Sequence, residues 1–101
     1  MIKFKKMWED VSSILNNDEF NDNNMTIVES YKDGFIVKYE GKNSFVNKDD
    51  FVDFWCKMLY FNEISKEDIL KDNNVNQRYV YEVVGKLPYI NEESNMLKLM
   101  E

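Results

Sequence analysis

The chain has 101 residues with a formal net charge of −6, and 44% of its residues are hydrophobic and 15% aromatic. This length suits one domain with a small core, and this apolar content excludes disorder along the whole chain. The chain has no histidine and a single cysteine, so it lacks the commonest general base and zinc ligand and cannot form an intrachain disulfide.

The composition also sets expectations for chemistry and location. Without histidine we expect a non-enzymatic protein that carries no cofactor and no metal. No apolar run is long enough to cross a membrane, and the first residues, "MIKFKKMWEDV", lack the apolar middle of a secretory signal peptide. We therefore expect a cytoplasmic protein with no membrane partner, and its frequent Asn, Lys and Ile are typical of an AT-rich bacterial or phage genome.

Apolar residues at helical spacing predict an amphipathic helix near the start of the chain. The stripe consists of Phe4, Met7, Trp8, Val11, Ile14 and Leu15. The helix is expected to stop near Asn16. Residues 17–24 are polar and show no period, which predicts a loop or linker.

Two runs rich in β-branched and aromatic residues, "MTIVESY" and "FIVKYE", flank "KDG" and predict a β-hairpin over residues 25–46. Gly34 in that loop is expected in the left-handed region. "SFV" at 44–46 is the candidate for a third short strand. Strict alternation places four residues on one face of the first strand: Met25, Ile27, Glu29 and Tyr31.

The stretch "VNKDDFVDFWCKMLYFN" predicts a core helix over residues 47–61. Asn47 is expected to cap it, and Asp49 and Asp50 to lie at the positive end of its dipole. Cys56 is expected to be a small core residue. The apolar face comprises Phe51, Phe54, Trp55, Met58 and Leu59.

A second, shorter helix is predicted from "ISKEDILKD", with Ser65 as cap and Asp68 in the position of a capping-box acid. Ile69 and Leu70 are expected to face inward. In the following turn, Val75 is expected to be a buried anchor between two helices.

A third helix is expected to begin at the cap Asn76 and to end before Pro88. Its inward stripe would be Val80, Val83, Val84 and Leu87. "YI", "NEESN" and "MLKLM" then predict a strand, a turn and a strand.

This order of elements over residues 65–100, about a third of the chain, resembles the winged helix-turn-helix family. The resemblance is carried by the capped helix at Ser65, the turn at Val75, the cap at Asn76 and the terminal hairpin. We thus expect one α+β domain: an N-terminal helix and linker (1–24), a β-hairpin with or without a third strand (25–46), then a core helix and a winged-helix-like part (47–101).

The resemblance implies that the second helix of the motif enters the major groove of double-stranded DNA. Exposed Gln and Arg side chains there would pair with adenine and guanine, and lysines around them would contact phosphates. The residues expected to contact DNA or another partner are Lys66, Lys71, Gln77, Arg78, Tyr79, Tyr81 and Lys86. A homodimer, which the sequence leaves open, would present two such helices to adjacent half-sites.

The charge pattern keeps a second hypothesis open. Residues 65–88 hold four basic and four acidic side chains, and the hairpin tip "NEESN" is acidic, whereas DNA binding needs a basic surface. The alternative is an acidic inhibitor, similar in style to phage anti-CRISPR proteins, that binds a host protein that processes nucleic acid. Its acidic surface would be formed by Glu29, Asp33 and Glu40.

Overall fold

The computed structural model describes residues 2–16 and 25–100 and contains two small antiparallel sheets joined by helices. The elements in chain order are α1 (Phe4–Asn16), β1 (Met25–Tyr31), β2 (Gly34–Tyr39), β3 (Lys42–Asn47), α2 (Lys48–Phe61), β4 (Glu63–Ser65), α3 (Lys66–Leu70), α4 (Asn76–Val84), β5 (Ile90–Glu93) and β6 (Met96–Leu99). The strand orders are β1-β2-β3 and β4-β6-β5. The predicted α+β class is confirmed, and the predicted linker over 17–24 lies outside the described residues.

The central helix α2 begins as its sequence predicts. Asn47 Oδ1 accepts from the backbone N–H of Asp50 at 2.9 Å, and Asp50 Oδ2 accepts from the N–H of Asn47 at 3.1 Å. This reciprocal capping box satisfies two backbone donors that the first turn would otherwise leave unpaired. The helix ends at Asn62, which adopts the left-handed conformation with φ 62°.

The core is built around α2 and draws on both sheets. Its largest fully buried side chains are Trp55, Tyr81, Phe35, Phe51, Phe54, Met7 and Met58. The indole N–H of Trp55 donates to the carbonyl of Ile2 at 2.9 Å and so fixes the chain before α1. The expectation that Cys56 is buried is wrong, since it is exposed. It lies about 200° around the helix from Phe54, away from the core.

A polar contact between Tyr89 and Asp10 ties the last part of the chain to α1. The Tyr89 hydroxyl donates to Asp10 Oδ2 at 2.8 Å. Partial burial and the Asp10 carboxylate both raise the pKa of Tyr89. Partial desolvation raises the pKa of Asp10, but the hydrogen bonds from Lys6 and Tyr89 outweigh it and leave that pKa below its ordinary value.

The first sheet departs from strict alternation at one position in β1. Ile27 pairs with Val37, but Glu29 pairs with Ile36, so the register shifts between Ile27 and Glu29. This β-bulge inserts one extra residue and reverses which side chains face the core. Met25 is buried, whereas Glu29 and Tyr31 point outward. The expectation that these residues share one face with Met25 is therefore wrong.

Gly34 has a different role from the one expected. It is the first residue of β2 and does not have a positive φ. A Cβ at this position would lie 2.4 Å from the carbonyl oxygen of Val46 and 2.8 Å from the ring of Phe45. The glycine is required by this close approach, and the left-handed pair that turns β2 into β3 is Glu40 and Gly41.

The α3–α4 turn contradicts three expectations. Val75 is 57% exposed and Leu70 is 49% exposed, so neither is a core residue. The side chain of Asn76 does not cap α4. Instead, the Asn74 side chain accepts from the backbone N–H of Asn76 at 3.1 Å, and Asp72 accepts from that of Asn74 at 2.8 Å. Because Asn74 and Asn76 direct their amides inward, Val75 between them faces solvent.

The second sheet contains the predicted terminal hairpin and one additional strand. β5 and β6 pair across a two-residue turn at Ser94 and Asn95, both with positive φ, so the turn is shorter than expected. The additional strand β4 pairs with β6 through Ile64 and Leu97. Within residues 2–16 and 25–100, no helix is long and apolar enough to span a membrane.

Candidate functional site

Gln77, expected to contact bases, lies in the core. It is only 2% exposed, and its Nε2 donates to the backbone carbonyl of Asp50 at 3.0 Å. Its Oε1 is buried and has no hydrogen-bond partner among the described residues. A side chain that is held inward in this way cannot contact a partner surface, so the expected exposure of Gln77 is wrong.

Tyr81 is also buried, although it was expected on the outer face of α4. It is 1% exposed, and its ring packs edge-on against Phe54 with centroids 6.4 Å apart. Burial, together with the carboxylates of Glu92 and Glu82, raises the pKa of Tyr81 to about 12. Its hydroxyl lacks a hydrogen-bond partner in the described part of the chain.

Hydrogen bonds to Asp50 hold the start of α4 against the core. Besides closing the cap of α2, its carboxylate accepts from Asn74 Nδ2 at 2.9 Å and from Asn76 Nδ2 at 3.1 Å. The same Asn76 nitrogen lies 3.0 Å from the carbonyl of Phe45 in β3. One carboxylate thus joins the starts of two helices, and α4 is placed beside the first sheet.

Two of the lysines expected to contact phosphate lie next to carboxylates. Lys66 Nζ is 3.5 Å from Glu82, and Lys71 Nζ is 3.1 Å from Glu67. Each pair cancels a positive charge that DNA binding would use. Arg78 and Lys86 are exposed.

A cleft of about 280 Å³ lies between the exposed side of α4 and the first sheet. It brings together three of the predicted site residues, Lys66, Arg78 and Tyr79, and its lining also includes Glu82, one helical turn after Arg78. Tyr79 is half-buried, and its ring packs against that of Tyr39 from β2 with centroids 5.9 Å apart. The first sheet therefore covers part of the helix face that was expected to enter a groove of DNA.

The three predicted acidic residues are all exposed but do not form one cluster. Glu29 lies on the outer face of β1, and Asp33 lies in the turn between β1 and β2. Glu40 lies in the turn at the opposite end of β2. It is roughly 20 Å from Asp33, which is the length of this six-residue strand at the usual rise per residue. Glu29 pairs with Ile36 near the middle of β2, so Asp33 and Glu40 lie on either side of it along the strand.

The outer face of the first sheet carries an apolar surface that sequence reasoning missed. We call Tyr31, Ile36 and Phe45 the sheet patch. Tyr31 and Phe45 are 49% and 51% exposed, and their ring centroids are 6.2 Å apart. Ile36 pairs with Phe45 on one side and with Glu29 on the other.

The carboxylate of Glu29 borders the sheet patch. It accepts from the Tyr31 hydroxyl at 2.8 Å, and this bond and the negative charge raise the pKa of Tyr31. The patch thus combines exposed aromatic rings with a fixed negative charge. The bulge in β1 brings Tyr31 to the outer face beside Phe45.

A second exposed aromatic pair ends α2. Tyr60 is 81% exposed and Phe61 62%, and their ring centroids are 4.7 Å apart. Tyr60 lies off the apolar stripe of the helix, whereas Phe61 continues that stripe seven residues after Phe54 but is the last residue of the helix. Exposed aromatic residues are enriched in protein interfaces.

The remaining chemistry of the described residues is limited. Within residues 2–16 and 25–100, no group of three or more His, Cys, Asp or Glu side chains is placed to hold a metal ion. Comparison of the chain with protein-family models, with curated proteins and with solved structures finds no match.

Proposed function

We propose that this protein is a non-enzymatic protein-binding module and that its sheet patch contacts a basic surface of its partner. The observation that carries the proposal is the exposed aromatic pair Tyr31–Phe45 beside the carboxylate of Glu29. Aromatic residues in the centre of a contact and charged residues at its rim are the usual arrangement of an interface.

The charge of the chain supports a basic partner. The protein has a net charge of −6, and Glu29 and Asp33 lie on or next to the sheet patch. Complementary charge accelerates association and disfavours acidic competitors. A protein with a positively charged channel for nucleic acid fits this description, in keeping with an inhibitor that occupies such a channel.

The test compares variants of the tagged protein in nuclease-treated lysate of the organism that encodes it. We expect the wild type to retain a basic protein, and expect Phe45→Ser and Glu29→Lys to lose it. Tyr60→Ser removes an even more exposed ring far from the patch and should retain the partner. If Phe45→Ser retains the same proteins as the wild type, the sheet patch is not the binding site.

A second candidate function, DNA binding through α4, is supported by the order of elements. From α2 to β6 the chain runs through a helix, a short strand, two helices and a hairpin, as in the winged helix-turn-helix family that the sequence resembles. Arg78 and Lys86 are exposed on α4 or just after it and are available for phosphate or base contacts. Its support is weaker because Gln77 and Tyr81 are buried.

DNA binding is tested with labelled duplexes of random sequence at low salt. If α4 binds DNA, Arg78→Ala combined with Lys86→Ala weakens binding by about tenfold and reduces its salt dependence. The matched control is Lys32→Ala, which removes an exposed cation from the β1–β2 turn. Failure of the wild-type protein to shift any duplex at low salt would exclude this candidate.

A further inference from the structure

We propose that the outer edge of β4, with the groove beside it, binds an extended segment of a partner protein in which basic and apolar residues alternate. This site is separate from the sheet patch, since it lies on the second sheet. The segment would add as a new strand next to β4 and insert apolar side chains into the groove, a recurrent mode of peptide recognition.

The hydrogen-bond pattern of β4 shows which backbone groups face outward. The strand lies at the edge of its sheet, in the order β4-β6-β5. Leu99 N–H donates to the carbonyl of Asn62, and Lys66 N–H donates to that of Asn95. Because hydrogen bonding alternates along an antiparallel pair, Asn62, Ile64 and Lys66 face β6.

The residues between them, Glu63 and Ser65, therefore direct their backbone groups away from β6. The carbonyl of Ser65 lies at the start of α3, where the helix uses it. Three groups remain for an added strand: the N–H and C=O of Glu63 and the N–H of Ser65. Among the described residues, none of these three takes part in a backbone hydrogen bond outside the regular helices and strands.

The groove beside this edge has a volume of about 270 Å³. Its apolar wall is formed by Phe61, Ile64, Ile69 and Met96. Phe61 is 62% exposed at the rim, whereas Ile64 and Ile69 are buried at the base. A partner residue opposite Ile64 would place its side chain on this apolar wall, because cross-strand neighbours share a face.

The charges around the groove select a basic segment. The lining includes the carboxylates of Glu63, Asp68 and Asp72 and one ammonium group, that of Lys57. Lys57 Nζ lies 3.4 Å from Asp72, and Lys98 is the cross-strand neighbour of Glu63 on β6. Within residues 2–16 and 25–100, no ion pair joins Glu63 or Asp68 to a cation, so the lining keeps an excess of negative charge. A partner residue opposite Glu63 lies on the same face as that carboxylate, so lysine or arginine there would be complementary.

The probe is a short fluorescein-labelled peptide that alternates lysine and valine, added to the full-length protein. We expect saturable binding at low salt and slower hydrogen exchange at the amides of Glu63 and Ser65. Two peptide controls identify the mode: glutamate in place of lysine should abolish binding, and N-methylation of the amides on one edge of the peptide should do the same. Equal binding of the glutamate or the N-methylated peptides would overturn the proposal.

Protein variants localise the contact. Phe61→Ala and Glu63→Lys should each weaken peptide binding by about tenfold or more. Tyr60→Ala removes the neighbouring ring, which does not line the groove, and Glu9→Lys makes the same charge change on the exposed side of α1, which does not line the groove either. Both controls should bind within about twofold of the wild type.

If all four variants bind the lysine peptide equally, or if the peptide never saturates, the groove is not its site. Phe45→Ser must leave peptide binding unchanged, because the sheet patch lies on the other sheet. The test of the groove and the test of the sheet patch can therefore fail independently of each other.

Discussion

The helix α4 and the first sheet use their side chains in opposite ways. α4 occupies the position at which the sequence resemblance expects a DNA-contacting helix, yet Gln77 and Tyr81 are buried. The first sheet, which had no such resemblance, exposes Tyr31 and Phe45 to solvent. The difference shows that the order of elements does not establish which face is free to bind, because packing against neighbouring elements decides that.

The burial of side chains on α4 depends most on Asp50, which holds the start of α4 against α2 and β3. Asp50→Ala removes three hydrogen bonds to a carboxylate, from Asn47, Asn74 and Asn76. We expect it to lower the free energy of unfolding by about 3 kcal/mol, since Asn47 N–H and the half-buried Asn74 amide lose their acceptor and Asn76 keeps only the carbonyl of Phe45. Urea unfolding followed by circular dichroism measures the change.

The matched control for this variant is Asp49→Ala. Asp49 is the neighbouring first-turn acid, but it is exposed and interacts mainly with the helix dipole. Its removal should cost less than about 1 kcal/mol. Equal losses from the two variants would mean that Asp50 does not hold α4 in place.

Gly34→Ala tests the close approach of β2 and β3 that positions the exposed Phe45 ring. The added Cβ would meet the Val46 carbonyl oxygen at 2.4 Å and the ring of Phe45 at 2.8 Å, so β3 must shift. We expect a loss of about 2 kcal/mol in thermal or urea unfolding, together with a displaced Phe45 ring.

Gly41→Ala serves as the comparison, because that position has φ +79° and no atom within 4 Å of the added Cβ. Gly41→Ala should lower the free energy of unfolding by about 1 kcal/mol, because its only cost is an alanine in the left-handed backbone conformation. A Gly34→Ala protein that is as stable as the wild type would show that the sheet does not need this close approach.

A smaller effect in the opposite direction is expected from Tyr81→Phe. The Tyr81 hydroxyl is buried without a hydrogen-bond partner in the described residues, so its removal takes away a desolvation cost. We expect the free energy of unfolding at pH 7 to rise by about 1 kcal/mol. A clear loss of stability would show that the hydroxyl makes a favourable interaction.

The same variant gives a test of pH dependence. Folding raises the pKa of Tyr81 from 10.0 to about 12, so between these values the unfolded chain releases this proton more readily than the folded one. The contribution of Tyr81 to stability is therefore complete below pH 10 and is lost as the pH rises towards 12. In that window the melting temperature of Tyr81→Phe should fall less steeply than that of the wild type.

The smallest effect concerns the ion pair on the exposed side of α4. Glu82→Gln removes the partner of Lys66 at 3.5 Å, and both side chains are partly exposed, at 26% and 42%. Stability should change by less than about 1 kcal/mol, because solvent screens such pairs. Duplex binding measured on this variant sharpens the contrast: a large gain at low salt would show that Glu82 alone prevented α4 from binding DNA.

Local features of the chain were predictable because they depend on neighbours in sequence. The cap at Asn47 and the cap at Ser65 both form as predicted, each accepting from the backbone N–H three residues later. The stripes of α1, α2 and α4 and the presence of two hairpins likewise follow from spacing, whereas Leu70 in α3 and the expected left-handed Gly34 were wrong. The acidic residue Asp50 was predicted at the start of α2 for its interaction with the dipole, but its contacts with α4 were not.

The candidate sites were less predictable, because they depend on contacts between distant segments. The sheet patch needs the bulge after Ile27, and no local signal in "MTIVESY" marks it. The inward direction of Gln77 follows from a carbonyl 27 residues earlier, and the groove beside Glu63 needs β4 to pair with β6. Tyr31 and Phe61 were therefore missed as binding residues.

The sequence by itself determined the class of the fold, the order of its helices and hairpins, and the caps that begin α2 and α3, since these arise from interactions within a few residues. The tertiary structure alone decided which side chains reach solvent. It buried Gln77 against the backbone of Asp50 and turned Tyr31 and Phe45 outward. Which surface remains free depends on which distant backbone groups and carboxylates find hydrogen-bond partners, and a pattern of neighbouring residues does not contain that information.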